Sequence, residues 1–242
     1  MKRKHPLVIL HGWNLSSDRY KPLTSEFKKL GYQVYSPDLP GFGQSQMAGK
    51  SFYLDDYVHF LRVYLEKRKI IKPVVIGHSF GGRIAIKLAT SEKSLLSALI
   101  LSGTPGVRPV GSGKRLLYLS AAKAGGLIFS LPIFKPLREI MKKSLYRVSG
   151  ANDFYRTKPE LKETFKNIVA EELSVLLPEV KIPTLLIWGR HDKIVPLSVA
   201  EKMLRRLPKG RLAVVDGARH GVPWSHVPDF AGEADRFIKE NA

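Results

Sequence analysis

Val74-Val75-Ile76-Gly77-His78-Ser79-Phe80-Gly81-Gly82 decides how the rest of the chain is read. The run that enters it is apolar and β-branched, as a buried strand is. The pattern that leaves it, Arg83-Ile84-Ala85-Ile86-Lys87-Leu88-Ala89, is helical. Between them, Gly77-x-Ser79-x-Gly81 makes a sharp strand-to-helix turn. A serine on such a turn is held in a strained backbone conformation, with its hydroxyl clear of the sheet edge. A Cβ two residues before or after it would collide with the opposite arm of the turn, so both positions want glycine. The helix that starts there aims its unpaired N–H groups and positive dipole end at the serine, where an oxyanion could be stabilised. A glycine-rich turn with an incidental serine is the bland alternative. The strand before it and the helix after it weigh against that.

The same alternation extends on both sides. Leu7-Val8-Ile9-Leu10 is a short buried strand that exits into His11-Gly12-Trp13-Asn14. Helical stretches follow over residues 17–30, interrupted near Pro22 and stopped by Gly31, and over 52–67. Val34-Tyr35-Ser36 and Ala98-Leu99-Ile100-Leu101 read as strands, as do Pro183 to Trp188 and Leu212 to Val215. Helices follow over 198–207 and 228–240. Strand and helix alternating at this rhythm mean βαβ units and a mostly parallel sheet, in which ligands bind at the carboxyl ends of the strands. The rhythm breaks over 107–178, a segment too long for a connection and too apolar and aromatic for a disordered linker. It reads as a helical cap inserted into a core made of residues 1–106 and 179–242.

Composition bounds the rest. A chain of 242 residues with 44% apolar content can bury one large α/β core. The absence of cysteine excludes disulfides, thiolate nucleophiles and cysteine-ligated metal sites. No stretch approaches the roughly 18 apolar residues of a membrane span, and the basic N-terminus is not followed by a signal-peptide core. The expectation is a soluble, cytoplasmic protein. The net charge of +19 is spread over short pairs such as Lys28-Lys29 and Arg205-Arg206, with no aromatic-interleaved stripe. It reads as a solvated surface rather than a specific nucleic-acid site.

A serine hydroxyl needs a base, and the base needs an orienting carboxylate. Of the seven histidines, His220 follows the last strand and precedes the final helix, at the sheet edge that carries Ser79. His78 adjoins the serine but points the other way in a strand. His226 is the nearest rival. Asp192 lies in the loop after the strand ending at Trp188 and is the candidate acid. Asp216, nearer His220 in sequence, is explained by turn formation. The N–H groups of Phe80 and Trp13 are candidate oxyanion donors. His11, Ile194 and Val222, in or beside exit loops, are candidates to line a substrate pocket, although His11 also suits a role in supporting its loop. No metal ligand set or cofactor motif is apparent.

His11-Gly12-Trp13, Asp38-Leu39-Pro40-Gly41-Phe42-Gly43-Gln44-Ser45, Gly77 to Gly82, Gly189-Arg190-His191-Asp192 and Arg219-His220, in this order, resemble the α/β-hydrolase superfamily over nearly the whole chain. They are most similar to its small capped serine hydrolases, a branch that holds esterases, lactonases, carbon–carbon bond hydrolases and hydroxynitrile lyases. The resemblance implies a Ser79, Asp192, His220 triad. A serine nucleophile disfavours the aspartate-based members. The first two strands usual in the family look absent or shortened, and no tryptophan directly follows His220. The expected protein is a cofactor-free esterase acting on small-molecule esters of short to medium acids, lactones included. The alternatives are carbon–carbon bond cleavage or hydroxynitrile lysis on the same triad, or a non-catalytic binding protein.

Overall fold

The computed structural model describes residues 5–47, 49, 51–107 and 156–242. Most of the expected cap, 108–155, therefore lies outside the described residues. In chain order the elements are β1 (Leu7–Leu10), α1 (Lys21–Lys29), β2 (Val34–Tyr35), α2 (Leu54–Lys67), β3 (Val74–His78), α3 (Phe80–Ser91) and β4 (Ala98–Ser102). After the undescribed stretch come α4 (Lys162–Ala170), β5 (Thr184–Gly189), α5 (Leu197–Leu204), β6 (Gly210–Val215), the short α6 (Val222–Ser225) and α7 (Val227–Asn241).

Among the described residues, six strands form one parallel sheet in the order β2-β1-β3-β4-β5-β6. Both faces are covered, so the central strands are apolar throughout and their side chains alternate between two layers. Leu7, Ile9, Val74, Ile76, Ala98 and Ile100 point to α1 and α7. Val8, Leu10, Val75, Leu99 and Leu101 point to α2, α3 and α5.

Local chemistry sets the element ends. Pro22 sits in the first turn of α1, where its missing N–H costs no bond. Gly31, at φ 83°, stops that helix: Gly31 N donates to Lys28 O and Tyr32 N to Phe27 O, which satisfies the last carbonyls. The interruption expected near Pro22 is a 3₁₀ turn at Ser17–Tyr20 that leads into α1. At α2, Asp56 reaches back to the Tyr53 N–H at 2.7 Å.

The chain leaves β1 for β2 on one side and returns to β3 on the other. Strand order thus reverses between β1 and β3, and that crevice is where such sheets bind ligands. The loop after β1 carries Gly12 and Trp13, and the turn after β3 carries Ser79 and Phe80. The C-terminal end of α4 is bonded to α3 through Arg83 and the Ile168 carbonyl, and Leu161, Ile168, Leu173 and Leu177 join the same apolar layer as α2 and α3.

Candidate active site

Ser79 stands between β3 and α3 at φ 50°, ψ −111°, a backbone region that side-chain-bearing residues avoid at a cost of about 1–3 kcal/mol. Its own N–H is held by Ser102 O of β4 at 2.8 Å. The two flanking glycines are needed for different reasons. A Cβ on Gly77 would meet Gly82 across the turn, as expected. A Cβ on Gly81 would instead run into the Leu10 carbonyl of β1, so the expectation for that position is corrected: Gly81 lets α3 sit against the neighbouring strand.

The loops after β5 and β6 meet at the same edge. Gly189 makes this approach feasible, because a Cβ there would strike the Ala218 and Arg219 carbonyls, and His191 N donates to Ala218 O at 2.9 Å. The contact brings His220 Nδ1 to 2.8 Å from Asp192 Oδ2. The Asp192 side chain is 1% exposed. Its other oxygen accepts the N–H groups of Ile194 and Val195, both at 2.9 Å. Trp188 braces this loop through an indole bond to Val195 O at 2.9 Å. A buried carboxylate fixed at three points gives the imidazole one orientation, with Nδ1–H to the acid and Nε2 left over. Among the described residues no hydrogen bond joins Ser79 to His220. Such contacts are often long before substrate arrives.

The rivals fall elsewhere. Asp216 is largely exposed and pairs with Arg190. His226 bonds to Ser225 at 2.9 Å at the start of the closing helix.

Phe80 opens α3, so its N–H has no acceptor within the helix. Trp13 N–H also makes no hydrogen bond among the described residues. The Trp13 ring is packed edge-on against Phe42, Phe80 and Phe165 at 4.9–5.1 Å, and its indole donates to Thr157 Oγ1 at 2.8 Å. Thr157 is a partner that sequence reasoning missed, since nothing in the sequence signals a contact across a separation of 144 positions.

The pocket candidates do not come together. His11 is fully buried. It bonds to Gly12 O at 2.8 Å and accepts the Leu39 N–H at 2.9 Å, so it shapes the loop after β1. Burial lowers its pKa and keeps it neutral. Val222 packs in the layer beneath α1 and α7, and Ile194 is 54% exposed. None of the three lines the cleft of about 790 Å3 beside the loop after β1, whose walls include Asn14, Arg19, Phe42, Arg156, Lys158 and Trp224. A position in an exit loop does not say whether the side chain faces the mouth of the site or the sheet beneath it.

Among the described residues there is no cluster of His, Asp and Glu that could hold a metal ion, and no helix is long and apolar enough to cross a membrane.

Comparison with known proteins agrees with this architecture. An AB hydrolase superfamily protein of Bacillus subtilis, YisY, is 26% identical over 89% of this chain and 85% of its own. A 2-hydroxy-6-oxononadienedioate/2-hydroxy-6-oxononatrienedioate hydrolase of Cupriavidus pinatubonensis is 25% identical over 93% of this chain and 83% of its own. Among solved structures, a thermophilic esterase from Thermogutta terrifontis superposes with a TM-score of 0.73 at 23% identity, covering 98% of this chain and 90% of that one, which speaks to the fold. The family described as serine aminopeptidase, S33, matches residues 2–223. With nearly the whole sheet and its elbow inside that match, the chain belongs to this family of α/β-hydrolases.

Proposed function

We propose that this hydrolase cleaves carboxylic esters of short to medium acids, lactones among them, without a cofactor. The observation that carries the reading is the buried Asp192–His220 pair at the sheet edge where Ser79 stands in a strained turn. In the reaction, His220 Nε2 takes the Ser79 proton as Oγ attacks the carbonyl, and Asp192 stabilises the imidazolium. The N–H groups of Trp13 and Phe80 hold the oxyanion. His220 returns the proton to the leaving alcohol, and water then releases the acid by the same steps in reverse roles. Each oxyanion donor lowers the barrier by about 3–4 kcal/mol.

Arg19, Arg156 and Lys158 on the wall of the neighbouring cleft suit an acyl or alcohol part that carries a carboxylate. We place the enzyme in the cytoplasm with small-molecule substrates and no specific nucleic-acid partner. Residues 107–178 would act as the cap, with α4 as its return to the core.

The second reading is carbon–carbon bond hydrolysis on the same three residues, and it draws support from relatives named as 2-hydroxy-6-oxo dienoate hydrolases at 25% identity. A panel of p-nitrophenyl esters, half-esters of dicarboxylic acids, lactones and dienoic ketones decides. Turnover of the ketones with none of the esters overturns the first reading. Within the site, Asp192→Asn is expected to lower kcat on the order of 10⁴-fold, and Asp216→Asn less than about tenfold, because Asp216 faces solvent. The reverse ranking refutes the assignment of the acid.

A further inference from the structure

His78, set aside at the outset because it points away from the serine, is buried directly under it and makes contacts on both sides. Its Nδ1 lies 2.8 Å from Tyr20 Oη, and its Nε2 lies 3.1 Å from the carbonyl oxygen of His220. Tyr20 Oη in turn accepts the Gly12 N–H at 3.1 Å. Tyr20 and His78 are each 1% exposed. Water cannot substitute for these partners.

The direction of every bond is fixed by its ends. A backbone amide can only donate and a carbonyl can only accept. The His220 carbonyl therefore requires the proton on His78 Nε2, and Nδ1 is left as an acceptor. Tyr20, already accepting from Gly12, donates its hydroxyl proton to Nδ1. The result is a one-way chain from Gly12 N–H through Tyr20 Oη–H and His78 to the carbonyl of His220. One end lies next to Trp13, whose N–H faces the oxyanion. The other end is the backbone of the base. The middle is the residue that precedes the nucleophile.

The packing leaves no slack. A Cβ on Gly12 would come within 2.9 Å of His78 Nδ1. A Cβ on Gly103 would come within 2.7 Å of the His220 ring and 3.4 Å of His78 Nε2. Trp224 closes the remaining side, edge-on to Tyr20 at 5.5 Å and to His78 at 4.9 Å.

We propose that Tyr20 and His78 are positioning residues, a directional hydrogen-bond chain that sets the oxyanion loop and the base loop in register across Ser79. The proposal rests on the serine-hydrolase reading above. It acts by geometry, because misplacing reacting groups by about 1 Å costs on the order of 10²-fold in rate.

Two measurements test it. The first is the rate at which a fluorophosphonate probe labels Ser79, which needs the nucleophile, the base and the oxyanion donors but no knowledge of the substrate. Tyr20→Phe keeps the ring and removes both bonds of the hydroxyl. It is expected to slow labelling about 10- to 100-fold while circular dichroism at the assay temperature shows a folded protein. His78→Gln is expected to slow it similarly, and the double variant no more than the worse single one, because members of one chain are not additive. Labelling at the wild-type rate in Tyr20→Phe, or losses that multiply in the double variant, overturn the chain. A wild-type protein that is not labelled at all overturns the serine-hydrolase reading instead. The second measurement is independent of activity. Nitrogen-15 NMR of the histidine side chains is expected to show His78 neutral with its proton on Nε2 at pH 7, whereas a proton on Nδ1 overturns the chain.

Discussion

Replacing Ser79 by glycine should make the protein more stable than replacing it by alanine, although both variants lack the hydroxyl proposed as the nucleophile. At φ 50° and ψ −111° a residue with a Cβ is strained, and glycine is not. Relief of that strain amounts to about 1–3 kcal/mol. Against it stands the greater freedom of glycine in the unfolded chain, about 0.4–1 kcal/mol. The Ser79 N–H bond to Ser102 O is a backbone bond and survives both changes, and the hydroxyl has no hydrogen-bond partner among the described residues to lose. The difference should be about 0.5–2 kcal/mol in favour of Ser79→Gly, or a few degrees in Tm at about 2–4 °C per kcal/mol for a chain of this size. Urea titrations of the two variants, fitted with a common slope, measure it directly. Equal midpoints, or a lower one for Ser79→Gly, would show that the turn is not strained and that the surrounding structure does not force the serine forward.

Two further outcomes follow from the geometry. His11 and His78 are both held below the ordinary histidine pKa of 6.5, first of all by burial. Above pH 6.5 neither the native nor the unfolded chain carries these protons. Below it the unfolded chain takes them up before the native chain does, so stability is lost as pH falls, by up to about 1.4 kcal/mol per pH unit for each. Urea unfolding at pH 6.5 and 5.5 should show lower stability at the lower pH, and His78→Gln should flatten part of that slope. The third outcome concerns the alcohol side of the ester. Trp13 is pinned by three aromatic rings and Thr157 and cannot swing aside, so tert-butyl esters should react at least about 10²-fold more slowly than ethyl esters of the same acid, after correction for intrinsic reactivity. Comparable corrected kcat/KM values would show an open oxyanion loop.

The sheet was legible because parallel strands buried on both faces write themselves as continuous apolar runs, and each run here ends in a glycine-bearing loop. Ser79, Asp192 and His220 stand out in the sequence as candidates because each follows such a run, and the structure joins Asp192 to His220. Side-chain direction within loops is another matter. His11 and Val222 follow strands too, yet they turn into the structure. Nothing in their neighbours in sequence separates them from residues that face outward. His78 was placed on the correct side of its strand by alternation. What alternation could not show is that Tyr20, 58 positions away, supplies the donor that makes this buried histidine part of the site. Thr157 was hidden for the same reason: a hydrogen bond across 144 positions leaves no periodic trace.

The helix that begins after Ser79 also holds residues 156–171. Arg83, one turn along α3, donates to Pro105 O at 2.8 Å and to the carbonyls of Ile168 and Glu171, at 2.8 and 2.6 Å, where α4 ends. A cation at a helix C-terminus meets the negative end of its dipole. Lys87, a turn further, bridges Asp55 at 2.8 Å and Glu171 at 2.6 Å. At the other end of the same returning segment, Thr157 holds the Trp13 indole. The segment is thus tied at one end to the helix that supplies the Phe80 N–H and at the other to the loop that supplies the Trp13 N–H. Since α3 is buried and close-packed, such ties transmit displacement rather than absorb it. The two N–H groups proposed as oxyanion donors are therefore set not only by the sheet beneath them, through β1 and β3, but also by residues 156–171. A change in how residues 156–171 sit would reach the reacting carbonyl without touching Ser79, Asp192 or His220.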